Sequence, residues 1–71
     1  MDTRYFEFVG GNSSKYWEVT VTDCDVTVRY GRIGTDGQSK TKSFTDEAAA
    51  IGHAEKLIAA KTKKGYVEAA A

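Results

Sequence analysis

A chain of 71 residues with one cysteine and one histidine offers few places for reaction chemistry. Cys24 and His53 are the one pair that could serve as thiol nucleophile and base, and that chemistry also needs a third group to orient the base. No such group is evident: Cys24 falls in a polar turn and His53 inside a helical stretch. A lone cysteine forms no intrachain disulfide, and no Cys/His pairing stands at metal-ligand spacing. Asp46-Glu47 reads as the start of a helix, where acids face the positive end, and not as a carboxylate pair for acid–base work. The expectation is a non-catalytic domain without cofactor or metal.

Binding chemistry is better represented. Lys15 follows Asn12-Ser13-Ser14, a loop whose amides and hydroxyls suit contact with phosphate. Gly31, Gly34 and Gly37 recur at three-residue intervals, but no strand–GxGxxG–helix context surrounds them, so they read as conformational glycines of a loop. Ten basic and ten acidic residues give zero net charge, which argues against a strongly electrostatic nucleic-acid binder. The distribution is less even: Lys40-Thr41-Lys42 and the three lysines between Lys61 and Lys64 carry no acid, whereas acids gather at Asp23–Asp25 and Asp46-Glu47. A local basic face is compatible with the neutral total.

These residues need a frame, and the chain is long enough for one domain over residues 1–71. Its core must come from aliphatic and aromatic side chains, at 41% hydrophobic content. The first half alternates with period two. Phe6 and Phe8 share one strand face; Trp17, Val19 and Val21 point inward from the next strand, with Tyr16, Glu18 and Thr20 outward. Gly10–Ser14 reads as a turn cluster and Thr22–Asp25 as a tight hairpin turn. A third strand carries Val26, Val28 and Tyr30 on one face, and a polar fourth strand over about 38–44 suits an exposed edge, where lysines discourage strand addition.

After Phe44 the period changes. Thr45 reads as an N-cap with Phe44 packing back on the first turn, and Ala50, Ile51, Ala54, Leu57 and Ile58 form one apolar stripe. The helix should span about 46–64, with Lys61, Lys63 and Lys64 complementing its negative end and Gly65 at C′. Gly52 inside it suggests a close approach to the sheet. The fold class predicted is α+β: a four-stranded antiparallel sheet followed by one long C-terminal helix on one face, leaving the other face open. Tyr66-Val67 should fold back onto the sheet or core, and Ala69–Ala71 should fray. No apolar run approaches the about 18 residues of a membrane span, and Met1–Arg4 lacks a signal-peptide layout, so a cytoplasmic location is expected.

The segment Val26-Thr-Val-Arg-Tyr-Gly-Arg-Ile-Gly-Thr-Asp-Gly-Gln38 resembles the signature of WGR domains, named for a Trp-Gly-Arg tripeptide whose place Tyr30-Gly31-Arg32 takes. Asn12-Ser-Ser-Lys15, Phe44 and Lys61-Thr-Lys-Lys-Gly-Tyr66 agree in order and spacing, so the resemblance covers about residues 4–68. The chain is most similar to the short bacterial form. Such domains occur in DNA-damage-responsive poly(ADP-ribose) polymerases, where they contact the terminal nucleotide and backbone at a break and relay that contact to a catalytic domain. No catalytic domain is expected within these 71 residues, so the resemblance implies binding alone: nucleic acid, preferably a DNA end, nick or single-stranded structure.

The resemblance gives particular residues particular roles. Tyr30 would stack on a sugar or base, with less area than tryptophan, or instead continue the Val26/Val28 face as a core or rim residue. Arg32 would pair with a phosphate or a partner domain, or instead orient the glycine loop through an intradomain salt bridge. Lys15 would lie near the DNA backbone, and Lys40 and Lys42 are further candidates, though each also reads as ordinary solvated surface. Trp17 reads as core, and Tyr66 as packed on the sheet with a surface role open. The alternative to nucleic acid is a protein partner docked through Arg32 and the open sheet face. A monomer is expected in either case.

Overall fold

The computed structural model describes residues 3–69. Strands β1 (Arg4–Gly10), β2 (Ser13–Thr22), β3 (Asp25–Arg32) and β4 (Gln38–Ser43) precede helix α1 (Glu47–Lys63), and a short strand β5 (Val67–Ala69) follows it. The sheet therefore has five strands, in the order β4-β3-β2-β1-β5, with every neighbour antiparallel. The α+β class holds, but the expected four-stranded sheet gains its fifth strand from the segment after the helix. Ala69 is paired with Tyr5 and not frayed, while Ala70 and Ala71 lie outside the described residues.

The turns are tighter than the Gly/Asn/Ser cluster suggested. β1 runs to Gly10 and β2 begins at Ser13, so Gly11 (φ 56°) and Asn12 alone reverse the chain. Asp23 does the same between β2 and β3 at φ 54°, a conformation that aspartate tolerates better than most residues. On one sheet face Phe6, Trp17, Val19, Val21 and Val26 meet Ala50, Ala54 and Ile58 of α1, with Ile51 and Leu57 packed at the margin. The helical stripe is thus the one its spacing prescribes.

Two expectations about the helix are corrected. Its N-cap is Asp46 and not Thr45: Asp46 has extended φ/ψ, and its carboxylate accepts a hydrogen bond from the Ala49 amide at 2.7 Å. Phe44 consequently stands one residue further out and packs on the His53 ring, 4.9 Å between centroids, beyond the first turn. Gly52 makes no close approach to the sheet. It is exposed, and a Cβ built there meets nothing within 4 Å.

The helix closes in a Schellman turn. Gly65 adopts φ 106°, its amide donates to the Thr62 carbonyl at 3.1 Å, and the Tyr66 amide donates to the Lys61 carbonyl at 3.1 Å. This reversal turns Tyr66 against Phe8, with ring centroids 5.5 Å apart, and starts β5 alongside β1. The Arg4 guanidinium then grips the Glu68 carboxylate in a two-toothed ion pair at 2.9 and 2.7 Å.

The face away from α1 is less open than expected. Tyr16 points outward, as its alternation requires, yet it is only 3% exposed. Tyr5 stacks on it at 5.8 Å, the Arg29 guanidinium lies 5.3 Å from its ring centroid, and its hydroxyl donates to the Thr35 carbonyl at 2.9 Å. The loop between β3 and β4 is what covers it. Gly31 lets that loop close, since a Cβ there would sit 2.7 Å from the Gly37 Cα. Gly37, at φ 65°, has the Tyr30 carbonyl and the Tyr16 hydroxyl where a side chain would go.

Two stability measurements follow. Gly52→Ala should stabilise the domain by about 1 kcal/mol, raising Tm by about 4–8 °C, because the helix gains a better former and nothing is displaced. A neutral or lowered Tm would mean that this glycine has a packing role. Gly37→Ala should cost at least about 2 kcal/mol in denaturant unfolding, because both the backbone conformation and the space are unavailable to alanine. A change within about 0.5 kcal/mol would contradict the described loop.

Candidate functional site

The end of the sheet where β2 begins and β3 finishes gathers the residues best suited to binding. Register places Lys15 opposite Arg32 and Trp17 opposite Tyr30, and all four lie on the helix-covered face. The C-terminal turn of α1 and the reversal at Gly65 bring Lys61 and Tyr66 to the same end. Lys15, Tyr30, Arg32, Lys61 and Tyr66, together with the Asn12–Ser14 turn, line a cleft of ≈ 350 Å³ that contains no carboxylate.

Aromatic faces hold the cations in place. The Lys15 ammonium lies 5.2 Å from the Phe8 ring centroid and 5.8 Å from that of Tyr66. The Lys61 ammonium lies 5.7 Å from the Trp17 centroid and 5.3 Å from Tyr66. Tyr66 is therefore flanked by two ammonium groups. Among the described residues the salt bridges are Arg4–Glu68 and Arg29–Glu18, so Lys15, Arg32 and Lys61 carry charges that no acid neutralises. Partial burial lowers the Lys61 pKa from its ordinary value, and the nearby charges of Lys64 and Lys15 push the same way. An anion entering the cleft would oppose the repulsion from Lys64 and Lys15 by direct attraction to the ammonium.

The backbone around Arg32 is fixed by its neighbours. Its carbonyl accepts from the Thr35 amide at 3.0 Å and from the Thr35 hydroxyl at 2.6 Å, and the Ile33 amide donates to the Ser14 carbonyl at 3.1 Å. These bonds tie the loop after β3 to the start of β2. The Arg32 side chain is exposed and enters no salt bridge among the described residues, so the loop is oriented by its glycines and by Thr35 and not by an arginine ion pair. Tyr30 is half-buried: it packs on the core cluster and also lines the cleft.

The other sequence candidates lie elsewhere. Lys40 and Lys42 project from β4 opposite Val28 and Val26 and border a separate groove with His53 and Leu57. They do not join Lys15, Tyr30 and Arg32. Gly34, at φ 93°, sits in the β3–β4 loop with open space around it. Cys24 lies in the β2–β3 turn, the His53 ring packs on Phe44, and the described residues hold no group of three or more His, Cys, Asp or Glu that could bind a metal. No helix among the described residues is long and apolar enough to cross a membrane.

Lys61 is the cleft residue that the sequence reading overlooked, because three lysines near a helix end have a sufficient explanation in the dipole. Its spacing carried the missing signal. Lys61 stands three residues after Ile58 and four after Leu57, on the continuation of the buried stripe, so its stem had to run along the core.

Comparison with known proteins gives the family of the chain. The family model for the WGR domain matches residues 2–71. Protein YehF of Escherichia coli is 45% identical over 67 residues, covering 94% of this chain and 24% of YehF. The uncharacterized protein YfeS of the same organism is 43% identical over 65 residues, covering 92% of this chain and 27% of YfeS. A crystal structure of a Bacteroides fragilis protein superposes with a TM-score of 0.94 at 48% identity, covering 96% of this chain and 19% of that one. The chain thus spans about a quarter of the length of the curated relatives it matches. WGR domains are small modules of the nucleic-acid-binding type and not catalytic domains. With the family match running from residue 2 to residue 71, this chain belongs to the WGR family.

Proposed function

We propose that the cleft at the C-terminal end of α1 binds nucleic acid, with a DNA end or nick as its preferred ligand. The observation that carries this reading is the convergence of Lys15, Arg32 and Lys61, without a single acid, around the rings of Tyr30 and Tyr66. In this reading the three cations contact backbone phosphates, and the hydroxyls and amides of Asn12–Ser14 accept or donate to the same strand. Tyr30 supplies a stacking face for a sugar or an unpaired base, which an end or nick exposes and an intact duplex does not. A neutral net charge keeps general attraction to DNA low, so the affinity comes from this one locality.

The alternative of a protein partner docked through Arg32 and the open sheet face is less economical. Arg32 shares the helix-covered face with Lys15 and Tyr30, whereas the exposed Val9 and Val67 lie on the other. One partner would have to wrap the sheet edge to reach both.

Titration of isotopically labelled protein with a blunt duplex, a 5′-phosphorylated nicked duplex and a single strand, at low salt, tests the proposal. Amide shifts should cluster at 12–15, 30–32, 61 and 66, be larger for the nicked than for the blunt duplex, and weaken about tenfold in Arg32→Ala. The Lys61 ammonium resonance should titrate at higher pH in the complex, because attraction to a phosphate opposes the repulsion from Lys64 and Lys15 and favours the charged form. Absence of shifts at hundred-micromolar DNA would overturn the proposal.

A further inference from the structure

We propose that the groove between β4 and α1 is a docking site for an extended, acidic segment of a partner protein, which adds to the sheet as a sixth strand. The site is separate from the cationic cleft. β4 ends the sheet, so the outward half of its backbone N–H and C=O groups has no strand neighbour. All six of its residues are exposed, and six residues give a long enough edge for pairing. The opposite edge differs: β5 has three residues, and the Arg4–Glu68 ion pair occupies its helix-side face.

Two features specify the occupant. The groove, ≈ 380 Å³, is floored by Val26, Val28 and Leu57 and asks for an aliphatic side chain. Its outer wall carries Lys40 and Lys42, two residues apart on one face of β4, with no acid in the groove's lining and neither ammonium in a salt bridge among the described residues. The Lys42 ammonium rests on the Phe44 ring, 5.4 Å from its centroid, a contact that leaves its charge unneutralised. On an added strand, residues opposite or diagonal to the lysines would stand within about 8 Å of them. The fitting segment therefore places an aliphatic residue between two acids, each separated by one residue that faces away.

The same lysines exclude competing occupants. A second copy paired through β4 would set lysine against lysine, the usual protection of an edge strand. An acidic strand turns that repulsion into attraction. A phosphate backbone would meet the two ammonium groups but would leave the aliphatic floor wet, with neither the hydroxyl turn nor the third cation of the cleft.

The test uses the full chain and the acetylated, amidated peptide Thr-Glu-Thr-Leu-Thr-Glu-Thr. Labelled protein titrated with it should show amide shifts at 38–43, 53 and 57. The double variant K40E/K42E, its fold verified by its amide spectrum, should bind this peptide about tenfold more weakly and should instead bind the version with lysine in place of both glutamates. The proposal is overturned by any of three results: no shifts at millimolar peptide, shifts confined to the Lys15–Arg32–Lys61 cleft, or equal binding of the acidic and lysine peptides to the unaltered chain. Displacement of the peptide from β4 by duplex DNA would also overturn it, assigning the lysine pair to phosphate.

Discussion

The domain is organised around the burial of one indole. Trp17 sits on β2, the middle strand of five, 3% exposed. Phe6 lies tilted against it at 5.7 Å, Tyr30 pairs with it in register, and the small residues Ala50 and Ala54 let α1 come down on the same sheet face. A chain this short buries only about 60% of the surface its unfolded form exposes, and its single cysteine allows no intrachain disulfide to supplement that. An aromatic side chain at the centre contributes more buried area than any other residue type, so the strands and helix are arranged to cover it. The same ring then serves the surface, because the Lys61 ammonium lies over it.

That arrangement explains how a neutral protein keeps a cationic cleft. A lysine paired with a carboxylate presents little field to a ligand, whereas one resting on an aromatic face remains a full positive charge with its position restrained. Lys15 and Lys61 are both held in this way, Lys61 on Trp17 of the core and both on Tyr66, which packs against it. The acids lie elsewhere, with Glu18 engaged by Arg29 and Glu68 by Arg4. Charge is thus segregated by the fold, and the net value of zero conceals it.

Much of this was legible in the sequence, and the exceptions have physical reasons. Alternation in Trp17-Glu18-Val19-Thr20-Val21 and the Ala50–Ala54–Ile58 spacing encode which faces are buried, because burial follows backbone period. Gly65 announced the helix end because few other residues take φ near 106°. The strand after it was hidden, since Val67–Ala69 is too short to show a period and forms only because the Schellman turn delivers it to the β1 edge. Tyr16 was placed outward correctly but not seen as buried, because its cover is a loop folded back by Gly31 and Gly37. The cap moved from Thr45 to Asp46 because both residue types cap well and only the geometry of the Ala49 amide separates them. Arg32 and Lys15 were legible as candidates through the family resemblance, and the fold sets them opposite one another across β2 and β3. Their separation from Lys40 and Lys42 depends on where α1 crosses the sheet, which no local pattern records.

If three unneutralised cations act together on one polyanion, the salt dependence of binding must register all three. The association constant for a nicked duplex should be measured from 50 to 200 mM salt for the unaltered protein and for Lys61→Ala. Three phosphate contacts predict a slope of about −2.7 in log K against log salt, an affinity loss of about 40-fold over that range. Lys61→Ala should reduce the slope to about −1.8. A slope near zero, or one that Lys61→Ala leaves unchanged, would mean that the three cations do not act together on the backbone.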